Sequence, residues 1–263
     1  MVPSAAVTVA ARPSPFARAW AARWPIGVEL VLFLLLMVAY EWLRDLVAVG
    51  DPTEPLRHAL DVIDAEKALG LFVEPDVQDF AQSVPGLEFT VKWLYTLAHT
   101  TGFAVMFLWM WFRRRRYYAA FRNWFWITNG LAIVGYALYP LAPPRLTDLG
   151  LEDPTKATLE LGGALSWFQP FRNEFAAMPS MHVGYALLFS LTIFWMNPTS
   201  PWRWAAFLWP AGMLFVVMAT ANHWWLDAAG GAAAVLLALA IVNPLTRSLP
   251  RPWAARRAEV AAT

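Results

Sequence analysis

Six stretches of the chain are apolar over lengths that suit a hydrocarbon core about 30 Å thick, which takes roughly 20 helical residues to cross. They lie at approximately 24–43, 91–112, 124–142, 179–197, 204–221 and 226–245. In the first, Glu29 and Glu41 bracket the uninterrupted run Leu30 to Tyr40, which places the two carboxylates at opposite head-group layers. Tryptophans gather at the ends of these stretches (Trp124 and Trp126, Trp202 and Trp204, Trp224 and Trp225), as expected of an interfacial aromatic belt. Between the first two stretches, residues 50–88 are polar, but Leu56, Leu60, Ile63, Leu69 and Phe72 recur at near-helical spacing among Asp61, Asp64, Glu66 and Lys67. That pattern predicts an amphipathic helix along the outer interface, stopped at Gly70 and broken at Pro75. The fold class is therefore all-α: a polytopic membrane protein, a six-transmembrane-helix bundle with an interfacial amphipathic helix between spans one and two.

Composition agrees with that division. Hydrophobic residues make up 59% of the 263 and charged residues 15%, where a soluble domain holds about 25% charged. Twenty Lys and Arg against nineteen Asp and Glu leave a net charge of +1, which argues against nucleic acid as a partner. The chain has no Cys, so disulfides, thiolate metal sites and cysteine nucleophiles are excluded. The cations set the orientation, because Lys- and Arg-rich loops stay in the cytoplasm. Thirteen Arg fall on one side, including the run Arg113–Arg116, and seven cations fall on the other, spread over longer loops with most of the acids. Both termini are thus expected inside. Residues 1–23 read as a disordered cytoplasmic tail, 24–246 as one membrane catalytic domain and 247–263 as a basic cytoplasmic tail.

Ionisable residues at span ends in so apolar a chain are functional candidates. Three groups lie at the outer face by the topology above: Tyr139 to Arg145, Ala176 to Val183 and Asn222 to Asp227. His223 and Asp227 are four apart, so on one helical turn a carboxylate oxygen reaches an imidazole nitrogen, fixes its tautomer and leaves the other nitrogen basic. Pro179 and Ser180 look like a helix start, which puts His182 in an opening turn suited to an anion. Arg145 follows two stiffening prolines and has the fork to grip a phosphate. His99 in the second stretch reads as a neutral imidazole hydrogen-bonded between helices, and Gly230 and Gly231 as permitting close helix packing. His58 receives no role.

Pro-Ser-Met-His at 179–182, His-x-x-x-Asp at 223–227 and Pro-Pro-Arg at 143–145 resemble the three signatures of the type 2 phosphatidic acid phosphatase superfamily. The runs Ile63 to Gln78 and Asn173 to Met178 are similar to its inositol phosphorylceramide synthase branch, to which sphingomyelin synthases are related. The resemblance covers roughly 60–245. It implies a six-helix bundle and phosphoryl transfer through a phosphohistidine without a cofactor or metal. On matching positions, His223 is the implied nucleophile, Asp227 its orienting carboxylate, His182 the general acid and then base, and Arg145 the ligand of nonbridging oxygens, with Ser180 also at the phosphate. The chain departs from the simple phosphatases at Leu138 and Leu146, where they carry Lys and Pro, at Met181 for Gly, and at Val216 and Val217 for Ser-Arg. Two cationic phosphate ligands are missing, which favours the synthase-like branch and makes Lys156 and Arg172 candidate replacements.

The expected activity is transfer or hydrolysis of a lipid phosphate, with a phospholipid or polyprenyl phosphate as substrate, at the extracytoplasmic face of the cell membrane. Two alternatives stand beside it. His182, His223 and Asp227 are a permitted ligand set for a zinc hydrolase, and a lipid carrier would need no chemistry. The sequence leaves open the lipid, the acceptor and the oligomeric state.

Overall fold

The computed structural model describes residues 24–47, 51, 53–155 and 173–245. The expected tails at 1–23 and 247–263 lie outside the described residues, as do Lys156 and Arg172. All six apolar stretches are helical over most of their length. The helices are α1 (Ile26–Leu46), α2 (Thr53–Leu69), α3 (Glu74–Ser83), α4 (Leu87–Arg113), α5 (Arg115–Leu138), α6 (Met181–Met196), α7 (Leu208–Ala219) and α8 (Trp225–Leu245). A 3-10 turn, Pro144–Leu146, carries Arg145, and a longer one, Pro201–Phe207, leads into α7. Three helical segments, Ile26–Leu46, Pro201–Ala219 and Trp225–Val242, are long and apolar enough to cross a membrane, the mark of a membrane protein.

α8 is the hub: it packs on α5 and α6, while α6 packs on α7, α4 on α5 and α7, and α1 on α5. The contact of α8 with α6 is at backbone distance, because a Cβ at Gly231 would collide with the Ser180 carbonyl. Gly135 of α5 likewise abuts Pro179, where a Cβ would come 2.6 Å from Cδ. The small residues at 230–231 thus serve the close packing read from the sequence.

Between α1 and α4 the described residues form two helices, α2 and α3, instead of one. Gly70 adopts φ +68 and ends α2, a conformation available to Gly at little cost. Pro75 opens α3 instead of only breaking α2, since a first-turn proline has no N–H to leave unpaired. The buried face of α2 is also not the predicted stripe. Pro55, Ala59, Val62, Ile63 and Glu66 point into the protein, whereas Leu56, Leu60 and Leu69 are exposed. The site end of the bundle admits the small side chains, and the leucines project outward.

Three further expectations are corrected. Trp124 and Trp224 are buried, their indole N–H groups donating to the carbonyls of Val235 and Ala142, so they are core residues and not belt residues. Trp202 and Trp204 remain exposed. Glu29 does not face a head-group layer; it is buried in an ion pair with Arg122 at 2.6 Å. The third apolar stretch ends as helix at Leu138, and 139–142 run extended, with Leu141 bridging to Ala176.

Candidate active site

Six helix termini meet at one end of the bundle: the C-termini of α1, α5 and α7 and the N-termini of α4, α6 and α8. The three sequence groups converge there, tied by backbone contacts. The Arg145 amide donates to the Ala221 carbonyl, the Ser180 amide to Asp227, and the Leu141 amide to Phe175. Ala221, immediately before Asn222 and His223, has φ +50 with a buried side chain. This left-handed conformation costs a non-glycine residue about 1–2 kcal/mol. It turns the chain sharply out of α7, so that the amides of Asn222 and His223 both reach the Val217 carbonyl.

His223 precedes α8 and does not lie within its first turn. Its Nδ1 lies 2.9 Å from the Ala177 carbonyl and 3.3 Å from Oδ2 of Asp227. Two acceptors at Nδ1 select the tautomer protonated there, leaving the Nε2 lone pair available. Asp227 is fully buried; its Oδ2 also accepts from the Trp224 amide at 2.9 Å, and its Oδ1 meets no donor among the described residues. His182 sits in the opening turn of α6, its ring stacked on Tyr95 at 4.1 Å and 5.7 Å from the His223 ring, centroid to centroid. Arg145 is held by Asn222, Nε to Oδ1 at 3.0 Å, with Asp153 at 3.5 Å and Glu174 at 4.0 Å.

A polar pocket of about 120 Å³ brings His182, His223 and Arg145 together, with Arg44, Tyr95, Glu174 and Asn222 also in its wall. Ser180 is not in that wall: its hydroxyl is buried with no partner among the described residues, and the residue joins α6 to α8 through its backbone. Asp227 stands behind His223. A larger cavity, about 330 Å³, lies at the other end beside Arg122 and Glu29 and is walled mainly by apolar groups such as Leu32, Phe33 and Phe107. Size does not single out the candidate site here; convergent imidazoles and a guanidinium do. Among the described residues no cluster of three His, Asp or Glu is placed to hold a metal ion.

Several residues at the site had no role in the sequence reading. Glu66 and Glu74, from α2 and α3, are fully buried and accept the first amides of α8: Leu226 N to Glu66 Oε1 at 2.9 Å and Trp225 N to Glu74 Oε1 at 2.7 Å. With Asp227 on the Trp224 amide, three carboxyl groups satisfy the donors that a helix N-terminus leaves open. Burial raises both glutamates, Glu66 to about 8, with the Glu74 charge adding to the effect and the Leu226 amide opposing it. The pair therefore holds a proton at neutral pH. His58 hydrogen-bonds the Pro140 carbonyl at 2.7 Å and stacks on Tyr139, fastening α2 to the loop that carries Arg145. Asn222 belonged to a quoted motif, but its grip on Arg145 was not foreseen. His99 lies within α4, and its side chain is outside the described residues.

Residues 60–241 match the PAP2 superfamily along their whole length, with all three converging groups inside the match. The chain belongs to the PAP2 superfamily. No curated protein and no solved structure matches it. PAP2 membership points to a phosphatase- or phosphotransferase-type function. It also shows what lies beyond the family segment: α1, with Arg44, precedes the matched residues.

Proposed function

We propose that this PAP2 protein is a six-span membrane enzyme that moves the phosphate of a lipid through a phosphohistidine on His223. The observation that carries the reading is the pocket in which His223, His182 and Arg145 share one wall while Nδ1 of His223 is held by Ala177 and Asp227. Nε2 of His223 attacks phosphorus as the bond to the lipid oxygen breaks, and His182 gives that oxygen its proton. His182 then takes the proton from an incoming hydroxyl, whose oxygen displaces His223 and restores both rings. Arg145 neutralises the equatorial oxygens as charge redistributes. Asp227 is a positioning residue that stabilises the imidazolium character of His223.

The expected setting is the cell membrane, with both termini in the cytoplasm and the pocket at the outer face, since the Arg113–Arg116 run lies at the opposite end of α4 and α5. The exposed leucines of α2 suit a helix at the membrane interface. Leu138 is 77% exposed and Val217 is packed in the core, so neither position offers the cation found in simple phosphatases. This favours the synthase-like branch and an alcohol acceptor such as an inositol-type polyol. Lys156 and Arg172 remain candidate phosphate ligands.

The test is incubation of the purified protein in lipid nanodiscs with ³²P-labelled phosphatidic acid, prenyl phosphate or phosphatidylinositol, with and without an alcohol acceptor. A transient acid-labile, base-stable label that disappears in His223→Ala, with product phosphate on water or acceptor, is expected. Turnover at the wild-type rate in His223→Ala overturns the reading.

A further inference from the structure

Family-type phosphate pockets need cationic charge, and the two positions at which simple phosphatases add it are Leu138 and Val217 here. The pocket nevertheless contains a second guanidinium. Arg44, from the last turn of α1, shares the pocket wall with Arg145, His182 and His223. One arm of its fork is engaged, Nη2 lying 2.8 Å from Glu41. Its Nε is buried and meets no acceptor among the described residues. A buried donor without an acceptor costs free energy, and a guanidinium has the strongest call on an anionic oxygen.

The backbone around Arg44 is fixed as if to hold it in place. The Asn173 side-chain amide donates to the Arg44 carbonyl at 2.7 Å, and the Asn173 backbone amide donates to Asp45 at 2.9 Å. Asn173 opens the short segment that continues through Glu174 to Ala177, whose carbonyl holds His223. Tyr40, one turn before Arg44, lies 3.4 Å from Tyr136, which donates to the Pro179 carbonyl at 3.3 Å. An α1 that is otherwise little buried is thus fastened to the site at its outer end.

We propose that Arg44 is a second phosphate-binding residue of the pocket, supplied by α1 from outside the PAP2 segment and acting opposite Arg145 on the substrate's phosphoryl oxygens. The proposal rests on the phosphotransfer reading above. It places the missing cationic ligand on a different helix from the one used by simple phosphatases, and it makes α1 part of the substrate site.

The test uses the full chain in nanodiscs, with orthovanadate and inorganic phosphate as probes, titrated calorimetrically, beside steady-state kinetics on a lipid phosphate. Arg44→Gln is expected to weaken vanadate binding about 10- to 100-fold, the range for a lost charge-assisted hydrogen bond. KM should rise more than kcat falls, and Arg44→Lys should recover part of the loss. Glu41→Gln releases Nη2 and should tighten vanadate a few-fold, an effect that a purely structural Arg44 would not produce. If Arg145→Gln loses vanadate binding while Arg44→Gln and Glu41→Gln bind as wild type, the role of Arg44 is overturned and the phosphotransfer reading stands. If Arg44→Gln does not fold, an unchanged Glu41→Gln overturns it. Failure of the wild type to bind either anion, with no response to Arg145→Gln, removes the functional reading and this inference together.

Discussion

Two buried arginines occupy opposite ends of this bundle, and their surroundings differ in a way that separates structure from chemistry. Arg122 is tied into a structural network: a 2.6 Å ion pair to Glu29, an Nε hydrogen bond to Asn123, and the Tyr118 hydroxyl donating to the same carboxylate. Arg145 is oriented by one neutral partner, Asn222, with its acidic neighbours at 3.5 and 4.0 Å, and it faces a polar pocket beside two imidazoles. The larger cavity adjoins the first and the smaller the second. Burying a charge inside a membrane protein is therefore not by itself a sign of catalysis. What sets Arg145 apart is its place in the wall of a polar pocket beside two imidazoles, which is why the proposed function assigns it the phosphate.

The sharpest break of that comparison is at the imidazoles. His223→Ala is expected to abolish turnover, while His182→Ala, which loses only general acid–base assistance, should fall by about 100- to 10,000-fold and keep a measurable remnant. Single-turnover assays on a lipid phosphate, run beside Arg122→Met at the same folded concentration, check both, with Arg122→Met expected at the wild-type rate per folded molecule.

The next effect compares the arginines directly. Removing Arg122 strands the buried Glu29, so Arg122→Gln should destabilise the protein by about 3–5 kcal/mol. Arg145→Gln should lose much less stability but about 100- to 1,000-fold in kcat, the range for a lost transition-state donor. Thermal unfolding in nanodiscs and kcat measured on the same preparations would display the crossed pattern; parallel losses in both variants would erase the distinction.

The smallest effect concerns the glutamate pair. Glu66 keeps its proton in the fold up to about pH 8, whereas an unfolded Glu gives it up near 4.5. Between those values the folded state binds more protons, so stability should fall as pH rises through the window. Unfolding temperature followed from pH 5 to 9 should decline in the wild type and flatten in Glu66→Gln, which mimics the protonated carboxyl.

Much of the candidate site was legible in the sequence because its residues are encoded locally. His182, His223, Asp227 and Arg145 each lie in a short motif at a span end, and a topology drawn only from apolar runs and cations already gathered them on one face. What could not be read depends on distant partners. Glu66 and Glu74 sit on helices whose composition suits solvent, and only the N-terminus of α8, some 160 and 151 residues away, turns them into buried acceptors. Trp124 and Trp224 fit the belt pattern by position, yet each finds a backbone carbonyl inside the bundle. Ser180 shares a motif with His182, but its hydroxyl is buried outside the pocket wall, in the contact of α6 with α8. Arg44 belongs to none of the motifs and is recruited by the fold alone.

The contact of Gly231 with the Ser180 carbonyl bears on all of this. The elements carrying the two imidazoles are held at a spacing set by a missing methyl group, so that any side chain at 231 acts as a shim. It would pry His182 from His223 while leaving each ring chemically intact, so that a residue outside the pocket wall would undo the geometry on which the proposed reaction depends.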